Sequence, residues 1–136
     1  MEQRELEERY LREVSVENSK AVYHEMRDIK NWDKEVIVAF YLDTRNKIIS
    51  REIVSIGTLN TIVVHPREIF RTAIIRNACS IILAHNHPSG IVKPSNEDIE
   101  VTRKLKEAGV ILGIELLDHL IVSREDYYSF EDENEL

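Results

Sequence analysis

Residues 83–99 read LAHNHPSGIVKPSNEDI, and they hold two of the five histidines of the chain. His85 and His87 follow a short apolar run, and side chains two positions apart on a strand point to the same face. A turn with proline and glycine then returns the chain to a helix, whose N-cap is Ser95 and whose first turn contains Asp98. We therefore expect two imidazoles and one carboxylate to converge where a strand ends and a helix begins.

This combination of side chains is typical of a metal site. Two histidines and one carboxylate are the ligand set of a catalytic zinc ion that keeps one position open for water. Other divalent metals accept the same set, but zinc is the commonest answer. The competing interpretation is a polar turn followed by a helix-cap carboxylate. The complete pattern H-x-H-x(7)-S-x(2)-D at a strand-to-helix junction favours the metal site.

Three further side chains of the loop have predicted roles around such a metal. Ser95 lies one helical turn before Asp98, where its hydroxyl can donate a hydrogen bond to an oxyanion that forms on a substrate carbonyl. Asn86 and Ser89 lie inside the loop and can orient the ligands or the substrate through hydrogen bonds.

The hydrophobic pattern predicts helices and strands in alternation on both sides of the loop. EVIVAFYL is apolar almost throughout, which is typical of a strand buried on both faces, and the DTRN that follows is turn chemistry. The predicted elements are a helix over 6–14, a helix from a Ser15 cap to about Ile29, strands over 35–42 and 47–57, a short strand over 61–64, a helix begun by Pro66, a central strand over 79–84, a helix from Ser95 that Gly109 ends, and one or two strands over 110–123 with a turn near Asp118. This order predicts a three-layer α/β fold with helices on both sides of a sheet.

Composition favours a single domain. The chain has 136 residues, of which 43% are hydrophobic. We place the domain at residues 15–130, between a charged N-terminal helical extension (1–14) and an acidic tail (131–136). No apolar run reaches the roughly 20 residues that span a bilayer, the charged N-terminus is unlike a signal peptide, and the single Cys79 suits a reducing compartment. We therefore predict a cytoplasmic protein without membrane contacts, and the sequence does not specify its oligomeric state.

The pattern of residues 85–98 resembles the JAMM motif of the JAB/MPN metallohydrolases. The RadC-type branch of that family is similar in several segments from about Ser15 to Phe130: EVIVAFYLDTRNKIISREIVSIGTLN, VVHPREIFRTAIIRNACSIILAHNHPSG, PSNEDIEVTRKL, LLDHLIVS and YYSF. The resemblance implies a cytidine-deaminase-like α/β fold with a curved mixed sheet. It also implies one Zn²⁺ per chain at His85, His87 and Asp98, and hydrolysis of amide bonds in a peptide or protein substrate.

In JAMM enzymes a glutamate on a strand upstream of the histidines is the general base. Two residues of this chain match that description. Glu35 stands at the head of the strand that follows the first long helix, and Glu52 lies within the returning strand. The order of elements favours Glu35. The simpler interpretation of Glu35 is a strand-end charge that pairs with Lys34 or Arg51.

The dipeptide Asp118-His119 also resembles a family feature near the site. Asp118 can support a zinc histidine, and His119 is the only downstream candidate for a further ligand. A structural role in a turn is the favoured prediction for both residues.

The resemblance leaves a second function open. Full-length RadC-type proteins usually carry a helix-hairpin-helix module of DNA-binding type ahead of this domain, and residues 1–14 are too short for one. We expect either a short stand-alone form or an excised domain. The alternative function is a DNA-repair-associated binding or scaffold module whose metal is structural. The intact ligand set favours chemistry, and the net charge of −7 argues against direct DNA binding by this chain.

This charge gives a first prediction. DNA affinity without sequence preference rests on Lys and Arg side chains that neutralise phosphates, so an acidic chain should bind duplex DNA weakly at physiological salt. Fluorescence anisotropy of a labelled duplex, titrated with the chain at two salt concentrations, measures it. A sub-micromolar affinity that falls steeply with salt would favour the DNA module over the enzyme.

Overall fold

The computed structural model describes residues 14–57 and 64–136. The helix predicted over 6–14 and the short strand predicted over 61–64 lie outside the described residues, apart from Val14 and Val64 at their ends. Among the described residues, no helix is both long enough and apolar enough to cross a membrane.

The centre of the domain is a mixed sheet of five strands in the order β2-β1-β3-β4-β5. Its strands are β1 (Val36–Leu42), β2 (Ile48–Ile56), β3 (Ser80–Asn86), β4 (Glu115–Val122) and β5 (Tyr127–Ser129). β3 and β4 run parallel, and the other neighbours run antiparallel. Every residue of β1 and β3 is buried, as the continuous apolar runs predict.

Helices cover both faces of this sheet and give the predicted three layers. They are α1 (Ser19–His24), α2 (Pro66–Ile75) and α3 (Asn96–Leu112). Alternate residues of β1 enter two separate cores, because successive side chains of a strand point to opposite faces. Ile37 and Tyr41 pack with Phe70 and Leu105 of α2 and α3. Val36, Val38 and Phe40 pack on the other side, with Val22 of α1 and with Met26 and Ile29 after it.

The first described helix begins later and ends earlier than predicted. Ser15 does not cap it, since Ser15 forms a β-bridge with Lys47 that keeps the backbone extended there. Asn18 is the N-cap instead, and its side chain accepts a hydrogen bond from the amide of Ala21. The helix ends at His24 and turns follow it, so Met26 and Ile29 reach the core from turns.

The predicted end of α3 is also wrong. The helix continues past Gly109 to Leu112, and it ends at Gly113, which adopts the left-handed conformation (φ 70°) that terminates many helices. Gly109 is buried inside the helix, where a Cβ atom would overlap the carbonyl oxygen of Ile114. A close approach of the backbone, and not a helix end, therefore explains this glycine.

The segment predicted to turn near Asp118 is one continuous strand. β4 pairs with β3 along its whole length, and the register shifts between Ile81 and Ile82, which face Leu116 and Asp118. Leu117 is therefore the extra residue of a β-bulge. With this bulge, Asp118 and His119 lie within an uninterrupted strand.

The position of Gly109 gives a second prediction. Gly109→Ala should lower the free energy of unfolding, because overpacking against the Ile114 carbonyl costs about 1–3 kcal/mol and outweighs the gain in helix propensity of up to about 1 kcal/mol. Urea unfolding measures the change. Val110→Ala, on the same helix but exposed, is the control and should change stability by less than about 0.5 kcal/mol. A Gly109→Ala variant as stable as the parent would contradict the overlap.

Candidate metal centre

The end of β3 orients both histidines of the loop. His85 is buried within β3, and the backbone amide of His87 donates to the carbonyl of Val122 at 2.9 Å. This bond extends the pairing with β4 by one residue, so the extended path continues to His87 and both imidazoles lie on one face. Their Nε2 atoms are 2.9 Å apart.

The first turn of α3 places the carboxylate opposite them. Ser95 and Asp98 form a capping box, in which the Ser95 Oγ accepts from the Asp98 amide at 3.1 Å and the Asp98 Oδ2 accepts from the Ser95 amide at 2.8 Å. Asp98 Oδ1 lies 3.2 Å from His85 Nε2, and Oδ2 lies 3.5 Å from His87 Nε2. Asp98 is thus a helix-cap carboxylate that also faces both imidazoles. One atom from each of the three side chains lies within 4.8 Å of the others, and the group can hold a metal ion.

The donor set fits a divalent cation. His87 Nδ1 is 2.8 Å from the carbonyl oxygen of Ile91, and a carbonyl only accepts, so Nδ1 carries the hydrogen and the Nε2 lone pair of the neutral ring points inward. Ser89 supports this arrangement, because its hydroxyl accepts from the Ile91 amide at 3.3 Å. A bare imidazole nitrogen and a carboxylate that meet at one point suit zinc and related metals.

The charges of the site agree with this fit. Burial raises the pKa of Asp98, but its contacts with the imidazoles of His85 and His87, which stabilise the carboxylate whenever a ring is protonated, outweigh burial and hold the pKa below its ordinary value. The hydrogen bond with Asp98 is the main reason why the pKa of His87 is raised, and burial opposes it. Asp98 is therefore an anion, which attracts a proton or a metal ion into the gap between the two rings.

Glu35 lies next to this group because of the strand register. β1 is antiparallel to β3 with Ile37 opposite His85, so the residue just before β1 lies across from the residue just after β3. Glu35 Oε1 is 3.9 Å from His87 Nε2, and its side chain is 27% exposed. Glu35 is outside the group of three that can hold the metal, but it borders that group.

Asn86 fixes the backbone on both sides of Glu35. Its side-chain amide donates to the carbonyls of Lys34 at 2.9 Å and Trp32 at 3.2 Å, and its Oδ1 accepts from the amide of Val36 at 2.6 Å. Asn86 is fully buried, so these bonds satisfy both ends of its amide away from water. Because Asn86 stands between the two candidate histidines in the sequence, the strand end that carries them also holds the segment that carries Glu35.

Glu52 lies elsewhere. It pairs with Ala39 in the middle of β1, and its carboxylate contacts Ser50 at 3.5 Å and Arg76, the C-cap of α2, at 3.9 Å. Arg51, one of the two residues suggested as an ion-pair partner of Glu35, forms two hydrogen bonds of 2.8 Å with Asp28. Glu35 therefore lies beside His87, whereas Glu52 does not share that strand end.

Asp118 and His119 both lie within β4 and not in a turn. The Asp118 carboxylate accepts from the Ser129 hydroxyl and from the amides of His119 and Glu131, so its hydrogen bonds tie β4 to β5 and none of them is with His85 or His87. Burial raises the pKa of Asp118. His119 points to the opposite face, where its Nε2 is 2.9 Å from His85 Nδ1. It contacts a candidate ligand without belonging to the group of three.

Thr102 is a residue of the site that the sequence interpretation missed. Its hydroxyl lies 2.6 Å from His119 Nδ1 and donates to the Asp98 carbonyl at 2.7 Å. The available signal was its spacing, since a polar residue four positions after Asp98 on the buried face of a helix lies directly below the first turn.

Comparisons with known proteins agree with the fold and the motif. The family model described as RadC-like JAB domain matches residues 16–136. A UPF0758 protein of Methanosarcina mazei is 50% identical over 112 residues, which are 82% of this chain and 48% of the relative. A UPF0758 protein of Chlorobium chlorochromatii is 52% identical over 104 residues, which are 76% of this chain and 47% of the relative. The chain spans about half the length of these relatives, and it belongs to the RadC-like JAB domain family.

Proposed function

We infer that this chain is a metal-dependent hydrolase of amide bonds, in a peptide or an isopeptide linkage, with one Zn²⁺ held by His85, His87 and Asp98. The observation that carries the proposal is the position of Glu35. A carboxylate lies 3.9 Å from His87 Nε2, just outside a group of three side chains that can hold a metal. A structural metal needs no such neighbour, whereas hydrolysis needs a general base beside the attacking water.

The bound ion would polarise the scissile carbonyl and make water a stronger acid. Glu35 takes a proton from the attacking water while the oxygen of that water forms a bond to the carbonyl carbon. Glu35 then delivers this proton to the amine nitrogen as the C–N bond breaks, so the group returns to its starting state. Its partial exposure suits this work, because the carboxylate must meet both water and substrate.

Two other residues assist in this scheme. Ser95 is exposed, and its Oγ accepts a hydrogen bond from the Asp98 amide. Its hydroxyl hydrogen can therefore be donated to the carbonyl oxygen of the substrate, where negative charge develops. Asn86 holds the backbone on both sides of Glu35 and so fixes the distance from the base to the histidines. A misplaced base loses much of its effect, which makes Asn86 a positioning residue.

Metal content gives a third prediction. Purified protein should carry up to one zinc per chain, and His85→Ala or Asp98→Ala should lose most of it, because each removes one of three ligands. Elemental analysis measures the content, and Glu52→Gln is the matched control that should keep it. If a protein with both ligand substitutions kept full zinc, the ligand assignment would be wrong.

A thermal melt of the same protein after chelation distinguishes a catalytic metal from a structural one. Two apolar cores pack on both faces of β1, so the fold should survive chelation with a modest change in melting temperature. A melt that collapsed on chelation would instead indicate a structural metal and favour the scaffold alternative.

The base gives a fourth prediction. Glu35→Gln should retain zinc and lose hydrolysis by a factor on the order of 10² to 10⁴, the usual effect of a positioned general base. Glu52→Gln removes the same charge from the middle of the edge strand β2 and should be nearly silent. Cleavage of an internally quenched peptide library measures the activity. Equal losses in the two variants, or an active Glu35→Gln protein, would contradict the assignment of Glu35.

A further inference from the structure

A buried chain of hydrogen bonds lies beneath the metal site and joins two of its candidate ligands. His85 Nδ1 is 2.9 Å from His119 Nε2, and His119 Nδ1 is 2.6 Å from the Thr102 hydroxyl. That hydroxyl is 2.7 Å from the backbone carbonyl of Asp98. All four residues are at most 3% exposed, so these groups exchange no hydrogen bonds with bulk water.

The chemistry of the donors and acceptors allows only one direction of donation along this hydrogen-bond chain. A carbonyl oxygen only accepts, so Thr102 spends its one hydrogen on Asp98 and must accept from the ring beside it. His119 Nδ1 is therefore the donor. His119 is fully buried and its ring stacks on Phe130 at 4.9 Å. A neutral imidazole carries one hydrogen, so with that hydrogen on Nδ1 its Nε2 is a bare acceptor. The hydrogen between the two rings then belongs to His85 Nδ1.

We propose that Thr102 and His119 are positioning residues that hold His85 in the tautomer whose Nδ1 is protonated, so that its Nε2 lone pair faces the metal. The neutral imidazole has only one other form, in which Nε2 carries the hydrogen and cannot bind a metal. The hydrogen-bond chain removes that form, because it would place two bare nitrogens against each other at the 2.9 Å contact with His119. The proposed form instead leaves the bare Nε2 atoms of His85 and His87 2.9 Å apart, a repulsion that a cation between the two rings relieves.

This hydrogen-bond chain also links two candidate ligands, His85 and Asp98, that lie on separate elements. His85 lies on β3, His119 on β4, and Thr102 and Asp98 on α3. A rotation of α3 that moved the Asp98 carboxylate would break the hydrogen bond between Thr102 and His119. His85 would then no longer be held in one tautomer. The inference rests on the metal site of the proposed function, but it does not depend on which bond is hydrolysed.

The substitution Thr102→Val tests this hydrogen-bond chain, because valine keeps the shape of the threonine side chain and removes its hydroxyl. Two-bond ¹H–¹⁵N NMR of the ¹⁵N-histidine-labelled chain reads which nitrogen of each ring is protonated, and it needs no metal. We expect His119 to carry its hydrogen on Nδ1 in the parent and to lose this preference in Thr102→Val. Competition with a chromophoric chelator should show Zn²⁺ affinity lower by about 10- to 100-fold, the usual loss when a partner of a ligand histidine is removed.

Two controls separate the hydrogen bond from packing. Thr102→Ser keeps the hydroxyl and should restore both the tautomer and the affinity. Thr72→Val makes the same change on α2, where the hydroxyl likewise bonds to the carbonyl four residues earlier but approaches no histidine ring that is a candidate ligand, and it should leave both readouts unchanged. If Thr102→Val does not fold, His119→Gln, whose amide oxygen can accept from His85, should keep more affinity than His119→Leu.

The outcomes are distinct. The proposal is wrong if His119 is protonated on Nε2 in the parent, if Thr102→Val changes neither readout, or if Thr102→Ser loses as much as Thr102→Val. A parent that binds Zn²⁺ with the expected tautomers but hydrolyses nothing would refute the proposed function and support this inference. A parent with the other tautomer and full activity would do the reverse.

Discussion

The carboxylate of Asp98 has to serve two elements at once, and the arrangement of the site depends on that constraint. One oxygen accepts the Ser95 amide at the start of α3, and the other lies 3.2 Å from His85 Nε2 on β3. An anion buried this deeply is tolerated only where hydrogen bonds replace its lost hydration. The contacts that begin the helix therefore also dock it on the sheet, and a change in either would leave a buried charge without a partner.

The sheet determines which residues can join Asp98. β1 and β3 are buried on both faces, so their interiors exclude charged side chains and polar chemistry collects where the strands end. The two strands are antiparallel, so the start of β1 and the end of β3 meet at one edge, with Ile37 opposite His85. Glu35 and His87 become neighbours for this reason, although they are far apart in the sequence.

The parts of this arrangement that the sequence predicts are those with local signals. The apolar runs of β1 and β3, the turn chemistry after β1 and the capping box at Ser95 are each complete within a few residues. The errors occur where the signal lies in a distant partner. Gly109 resembles a helix end until the approach of Ile114 is known.

Asp118-His119 shows the same difficulty in a strand. Two adjacent polar residues are typical of a turn, because an unpartnered polar group is rarely buried. Here each has partners far along the chain: Ser129 and Glu131 for Asp118, and His85 and Thr102 for His119. The three candidate ligands were predictable from spacing, and so was the orienting role of Ser89 in the same loop. The contacts of Thr102 and His119 were not, since a helix and a bulged strand bring these residues to the site from elsewhere in the chain.

The exposure of the side chains separates the tasks within the site. His85 and Asp98 are 0% and 3% exposed, so neither can meet a substrate directly and each is suited to hold an ion from below. His87 is 13% exposed and Glu35 27% exposed, and Ser95 lies at the surface. In the proposed hydrolase, a substrate carbonyl would therefore approach from the side of Glu35 and Ser95, which border the group of candidate ligands. Burial thus divides one cluster of polar residues into candidate metal ligands and residues that the proposed reaction would place against the substrate.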